Sequence, residues 1–178
     1  MGYLLALFGH HFTEETAMTD ADKEWVKSHV DKLKQRAAMA RSWAVSHRDF
    51  NVGCAIGVKA RYGRQRPSYH ISMGANCKPL PHNHGPKTCA EAHALHDIGD
   101  IAYAVEILCI VVYGVPQKDH ESSIAPKTLH SCGDCRRLFQ NHRLVTDETM
   151  MVFVNAEDPR VVEEMKFADL IALHNGNK

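Results

Sequence analysis

Three cysteines and one glutamate carry the spacing in this chain most able to do chemistry. Cys89-Ala90-Glu91 gives the pattern C-x-E, and Cys132-Gly133-Asp134-Cys135 gives C-x-x-C. A C-x-x-C pair alone fits a redox dithiol or a structural zinc knuckle equally well. Cys89 changes the count, because three thiolates can hold a zinc ion and leave its fourth position to water, as a catalytic site requires. Glu91, two residues beyond one of those ligands, is then within reach of that water. Two plainer readings stay open. A structural zinc site would need a fourth protein ligand, for which His84, His93 or His130 is available. Thr88-x-x-Glu91 also has the pattern of a helix capping box, although capping alone leaves the thiols unexplained.

The elements around these motifs decide whether they can meet. Thr88 is expected to open a helix running to about Ile98 and stopped by Gly99, and the C-x-x-C opens another, from Gly133 to about His142. Both motifs then fall at helix N-termini, where free N–H groups and a positive partial charge favour thiolates. Upstream, Val26, Val30, Leu33, Ala37, Ala40 and Ala44 recur every three or four residues from Asp20 onward, with lysines and Arg36 on the other faces. That is an amphipathic helix laid on a sheet, and Trp25 and Trp43 read as part of its packing. Strands are expected at 50–58, at 69–75 (antiparallel to the first because the 62–67 turn is short), at 105–113 in the centre and at 150–155. A short Val161-Val162 segment and a terminal helix near Phe167–Leu173 complete the chain. Three prolines hold 79–86 as a loop, and 114–131 is the longest loop.

The 178 residues are most economically one domain, with 1–20 as an N-terminal extension and 21–178 as the catalytic domain. Twenty-one basic residues balance 21 acidic ones, which speaks against a footprint for wrapping duplex nucleic acid. Lys118, Lys127, Arg136 and Arg137 near the motifs nonetheless keep a polynucleotide substrate among the alternatives. Cys54 and Cys109 lie inside apolar runs and read, with Cys77, as small packing residues. The six cysteines therefore point to a reducing, cytoplasmic setting rather than to three disulfides. The apolar run Tyr3–Phe8 is too short to span a bilayer and lacks a basic start, so it reads as a packed or frayed extension. With 13 histidines in the chain, any one of them is a bystander by default.

From about Val30 to the C-terminus the chain resembles the cytidine deaminase family. The segment Phe50-Asn51-Val52-Gly53-Cys54-Ala55 is similar to the family's entry into its first strand, which implies that the Phe50 ring faces the substrate's base. Gly74-Ala75-Asn76 resembles the segment in which an Asn contacts the nucleoside sugar. Cys89-Ala90-Glu91 matches a zinc ligand and the catalytic acid/base, with Ala90 among the substrate-binding residues, and Cys132 and Cys135 match the second ligand pair. The resemblance implies a three-layer α/β/α sandwich with a mixed five-stranded sheet, a zinc cofactor, and a homodimer or homotetramer whose subunits complete each other's sites. The implied activity is hydrolytic deamination of a cytosine-type nucleoside, namely cytidine, deoxycytidine or a modified analogue, to the uracil form with release of ammonia. The alternatives are another amino-heterocycle, a polynucleotide base, or a non-catalytic zinc-stabilised interaction domain.

Three positions depart from the family's pattern. Lys78 stands where the sugar-binding segment continues Asn-x-Glu, and a lysine cannot accept a bond from a ribose hydroxyl. Ala92 follows the glutamate where members with three zinc cysteines commonly carry Arg, leaving Arg136 or His93 to offset thiolate charge. Ser131 replaces a proline before the ligand pair and is itself a good N-cap.

Overall fold

The computed structural model describes residues 18–46, 50–78, 88–116 and 127–175. Its first helix, α1 (Asp20–Arg41), starts where Thr19 accepts a hydrogen bond from the Asp22 backbone N–H, with Asp20 and Asp22 in the first turn. Val26, Leu33, Ala37 and Ala40 form its buried stripe, as the periodicity predicts, and Met18 packs into the same face. The helix ends at Arg41, before Ala44.

Among the described residues seven strands follow the pattern of the sequence with additions. They are β1 (Val45–Ser46), β2 (Gly53–Ala60), β3 (Ser68–Ala75), β4 (Cys77–Lys78), β5 (Ala104–Gly114), β6 (Met150–Asn155) and β7 (Val162–Lys166). Helices α2 (Ala90–Asp97), α3 (Gly133–Gln140) and α4 (Phe167–Asn175) complete the set, and a 3₁₀ turn at Ile98–Asp100 carries α2 through Gly99. Five strands form one mixed sheet in the order β3-β2-β5-β6-β7, in which only β5 and β6 run parallel.

Alternation along the central strands separates two cores. Cys54, Ile56, Ile110, Val112 and Phe153 face α2, α3 and α4, where Ala94, Phe139, Phe167 and Leu170 meet them. Ala55, Leu108, Cys109, Val111 and Val152 face α1. The result is the expected three-layer α/β/α sandwich, with α1, among the described residues, alone on one face. Among the described residues no helix is long and apolar enough to cross a membrane.

Several details differ from the sequence expectation. The first strand begins at Gly53 rather than Phe50, because the Val52 N–H donates to the Asn76 side chain (2.7 Å) instead of to a neighbouring strand. β1 and β4 pair with each other in parallel, and at two residues each they are too short to show a period. β7 is a full edge strand whose Glu163 and Glu164 disguise it as a loop. Trp25 does pack, stacked between His29 and Tyr69. Trp43 does not: it follows the end of α1 and is 55 % exposed. Residues 1–17, the stretch 79–87 with His82 and His84, and the middle of the 114–131 loop lie outside the described residues.

Candidate metal centre and active-site cleft

The site is built on one end of the sheet, where β3 gives way to β4. Cys77 exchanges two backbone hydrogen bonds with Thr88, both 2.9 Å, so the residue before Cys89 is fixed to the strand beside it. This pairing also settles the capping question. Cys89, not Thr88, is the N-cap of α2, and its backbone is extended at φ −77°, ψ 154°. Cys132 caps α3 in the same way, at φ −65°, ψ 165°, and neither thiol is spent on a capping bond. Both sulfurs are therefore left for another partner. Helix α2 can lie this close because β3 carries Gly74: a Cβ there would stand 2.3 Å from the Ala94 nitrogen and 2.4 Å from the Ala90 oxygen.

The three Sγ atoms of Cys89, Cys132 and Cys135 lie within 4.8 Å of one another. Cys89 and Cys132 are 3.9 Å apart and no cysteine is in a disulfide. Sulfurs bound tetrahedrally to zinc at about 2.3 Å are separated by roughly 3.8 Å, so the cluster fits a zinc ion with little movement. No fourth donor joins it among the described residues. His93 bonds instead to the Ala75 carbonyl (Nδ1 to O, 3.1 Å), and His130 turns to Glu163 and His174. His84 lies outside the described residues. Without metal the trio shares its protons unequally. Hydrogen bonds from Cys135 and Cys89 hold the Cys132 thiol far below its usual range. The bond to Cys132 pushes Cys89 up to about 11 and Cys135 higher still. Binding of a dication displaces the protons the thiols still hold.

Glu91 sits in the first turn of α2, 5 % exposed. Burial is the largest influence and raises its pKa; its own backbone N–H lowers it, and the Cys132 thiolate raises it again. Ser131 and Cys135 offset part of this, although the Ser131 hydroxyl is buried without a fully formed hydrogen bond. A carboxyl pushed toward holding its proton, beside a metal-binding cluster, is suited to acid/base work.

A cleft opens over these groups. Its walls come from Phe50 and Val52, from Asn76 and Lys78, from Cys89, Ala90 and Glu91, and from Leu129, His130 and Cys132. The Lys78 ammonium lies 5.0 Å from the centre of the Phe50 ring.

Comparison with solved structures bears on the fold. Cytidine deaminase from Burkholderia pseudomallei is 23 % identical over 79 % of this chain and 94 % of its own, with a TM-score of 0.56. The Mycobacterium leprae cytidine deaminase is 20 % identical over 79 % and 95 %, at a TM-score of 0.48. No family model and no curated protein matches the chain. The fold is that of cytidine deaminase. At these identities the likeness speaks for the fold alone, and the site's chemistry rests on its own geometry.

On the cytidine deaminase fold, the residues singled out from the sequence come to one place. Phe50, Asn76, Cys89, Ala90, Glu91 and Cys132 all line the cleft, and Cys135 completes the sulfur cluster behind it. Asn76 is engaged differently from the expectation. It is 2 % exposed, its Oδ1 accepts from Val52 N–H and its Nδ2 donates to the Phe50 carbonyl, each at 2.7 Å. It fixes the backbone that carries Phe50, with one hydrogen and one lone pair left over. Of the two groups expected to offset thiolate charge, Arg136 donates from its guanidinium to the Ser131 carbonyl (2.5 Å) and His93 bonds the Ala75 carbonyl. Leu129 and His130 were not foreseen as cleft walls. They lie just before the C-x-x-C, and only their nearness in sequence to Cys132 could have pointed to them.

Proposed function

We propose that this protein is a zinc-dependent hydrolase that deaminates a cytosine-type nucleoside or a modified analogue to the uracil form. The observation that carries this reading is the meeting of three uncommitted thiols and one buried carboxyl at the floor of a cleft with an aromatic wall. Cys89, Cys132 and Cys135 would hold the zinc ion, which when bound supplies Lewis-acid chemistry that makes water ionise near neutral pH. The chain's own residues do the rest. Phe50 offers a ring face to the flat base. Glu91 takes a proton from the attacking water and gives it to the ring nitrogen beside the amine-bearing carbon, making that carbon electrophilic. A second transfer through Glu91 puts a proton on the departing amine, so that water is consumed and ammonia leaves. Burial of Glu91 assists both steps, because a raised pKa lets the carboxyl hold a proton between them.

The test is ammonia release from cytidine, deoxycytidine, cytosine and purine analogues. Glu91→Gln should keep the fold and one zinc per chain while lowering turnover by about 10²- to 10⁴-fold. Full activity in that variant would refute the assignment. We further propose that residues 1–20 are an extension to the 21–178 domain, and that the six free thiols mark a reducing compartment, the cytoplasm. The homodimer or homotetramer implied by the sequence resemblance is tested by light scattering of the zinc-loaded protein.

A further inference from the structure

We propose that Glu163, on the edge strand β7, is a positioning residue of the cleft: through Thr128 and His130 it holds the wall against which the substrate lies. This rests on the deaminase reading given above, which makes the cleft the substrate's.

That wall has little support of its own. Leu129 and His130 line the cleft just before Cys132, in a segment that belongs to no helix or strand. Among the described residues no backbone-to-backbone hydrogen bond holds 127–131. Side chains set its place instead. At one end Asn155 Nδ2 donates to the Lys127 carbonyl (3.0 Å), and at the other the Arg136 guanidinium donates to that of Ser131. Leu129 rests on Gly114, where a Cβ would stand 2.6 Å from its Cδ2.

Between those ends the anchor is Glu163. Alternation sends the two glutamates of β7 to opposite faces of the sheet. Glu164 reaches Lys34 of α1 (3.7 Å), and Glu163 turns to the face that carries the cleft. There a single oxygen, Oε2, accepts from both the Thr128 hydroxyl and His130 Nε2, the latter at 3.3 Å. Thr128 is buried, so its hydroxyl would go unsatisfied without this acceptor.

The same strand pair orients the imidazole. Glu163 stands opposite Phe153 of β6, and the Phe153 ring meets that of His130 at 4.6 Å between centres, tilted by 40°. One member of the pair thus bonds the edge of the imidazole while the other packs on it. A carboxylate oxygen only accepts, so Nε2 of His130 donates, and Nδ1 turns to His174 Nε2 of α4 (3.3 Å). Thr128, Phe153, Glu163 and His174 do not themselves line the cleft. They act on a ligand only through Leu129 and His130.

The experiment measures cytidine turnover and zinc content in the zinc-loaded parent, Glu163→Ala, Glu163→Gln, His130→Ala and the double variant of the two alanine changes. Glu163→Ala should raise KM about tenfold. Its kcat and zinc content should stay within about twofold of the parent, because the wall contacts ground state and transition state alike. Glu163→Gln keeps an oxygen that accepts from both donors and should recover most of the loss. The double variant should be no worse than the worse single one, since both changes release the same wall. An unchanged KM, a fall in kcat or zinc content alongside it, no recovery in Glu163→Gln, or additive losses would each overturn the proposal. If Glu163→Ala does not fold, Thr128→Val takes its place with the same pattern expected. Calorimetric binding of uridine is the second readout. If the parent releases no ammonia, the deaminase reading fails, and the positioning inference stands only if uridine binds the parent about tenfold more tightly than Glu163→Ala. Equal binding, or none by the parent, overturns it as well.

Discussion

Cys89 and Cys132 hold positions at which helices usually place Ser, Thr, Asp or Asn, and both keep their side chains out of the cap. A serine at either place can still cap the helix but is a poor metal donor. Cys132→Ser should therefore keep its secondary structure and lose zinc at chelator concentrations the parent withstands, as read by metal analysis after dialysis. Thiol reactivity gives an independent check. Cys132 is the exposed thiol of the trio and its pKa is lowered by the neighbouring thiols, whereas burial raises Cys54 strongly and pushes Cys109 up to about 12. Alkylation followed by mass spectrometry should mark Cys132 first and reach Cys54 and Cys109 only on unfolding. Zinc should protect Cys132.

Helices α1 and α2 press on opposite faces of the sheet at nearly the same point. Gly53 and Gly74 lie on the paired strands β2 and β3, one register step apart. A Cβ on Gly53 would stand 2.0 Å from the Ala37 oxygen of α1, and one on Gly74 would meet the backbone of α2. Neither helix backbone can yield locally. Gly74→Ala should cost about 1–3 kcal/mol in denaturant unfolding and weaken zinc binding, because it lifts the helix start that carries Cys89. Such close approaches had no signal in the sequence beyond the glycines themselves. The long elements were legible: the α1 stripe and the apolar runs of β2, β5 and β6 declare their periods. The cysteine spacing likewise announced the metal cluster. The β1–β4 pair was not legible, nor was the use of the Asn76 amide as a surrogate for a strand partner. Both depend on contacts between segments far apart in the chain, 24 residues for Val52 and Asn76, which no local period records.

At the end of the sheet away from the cleft, a buried charge cluster joins four elements. Lys59 of β2 lies 2.6 Å from Asp22 of α1 and 3.6 Å from Glu106 of β5, and the Tyr69 hydroxyl of β3 donates to Asp22 (3.1 Å). Burial alone would raise Asp22, but Lys59 and the Thr19 and Tyr69 hydroxyls reverse it, leaving its pKa below the usual 3.8. A carboxyl depressed in the folded state stabilises the fold above its unfolded pKa, and that contribution is lost as pH falls through the folded value. Glu106, raised mainly by burial, contributes with the opposite sign, so the informative quantity is the difference between parent and Asp22→Asn. That difference should be about 3–5 kcal/mol near neutral pH and shrink below about pH 4, measured by chemical denaturation across the range. Trp25 of α1 and Trp43, two residues past the end of that helix, are the chain's two indoles. Trp25 is held between two rings, while Trp43 stands in water two residues before β1, the strand that braces Lys78. The molecule thus contains its own optical gauge: occupancy at the cleft mouth should alter the red-shifted, iodide-quenchable emission of Trp43 and leave that of Trp25 steady.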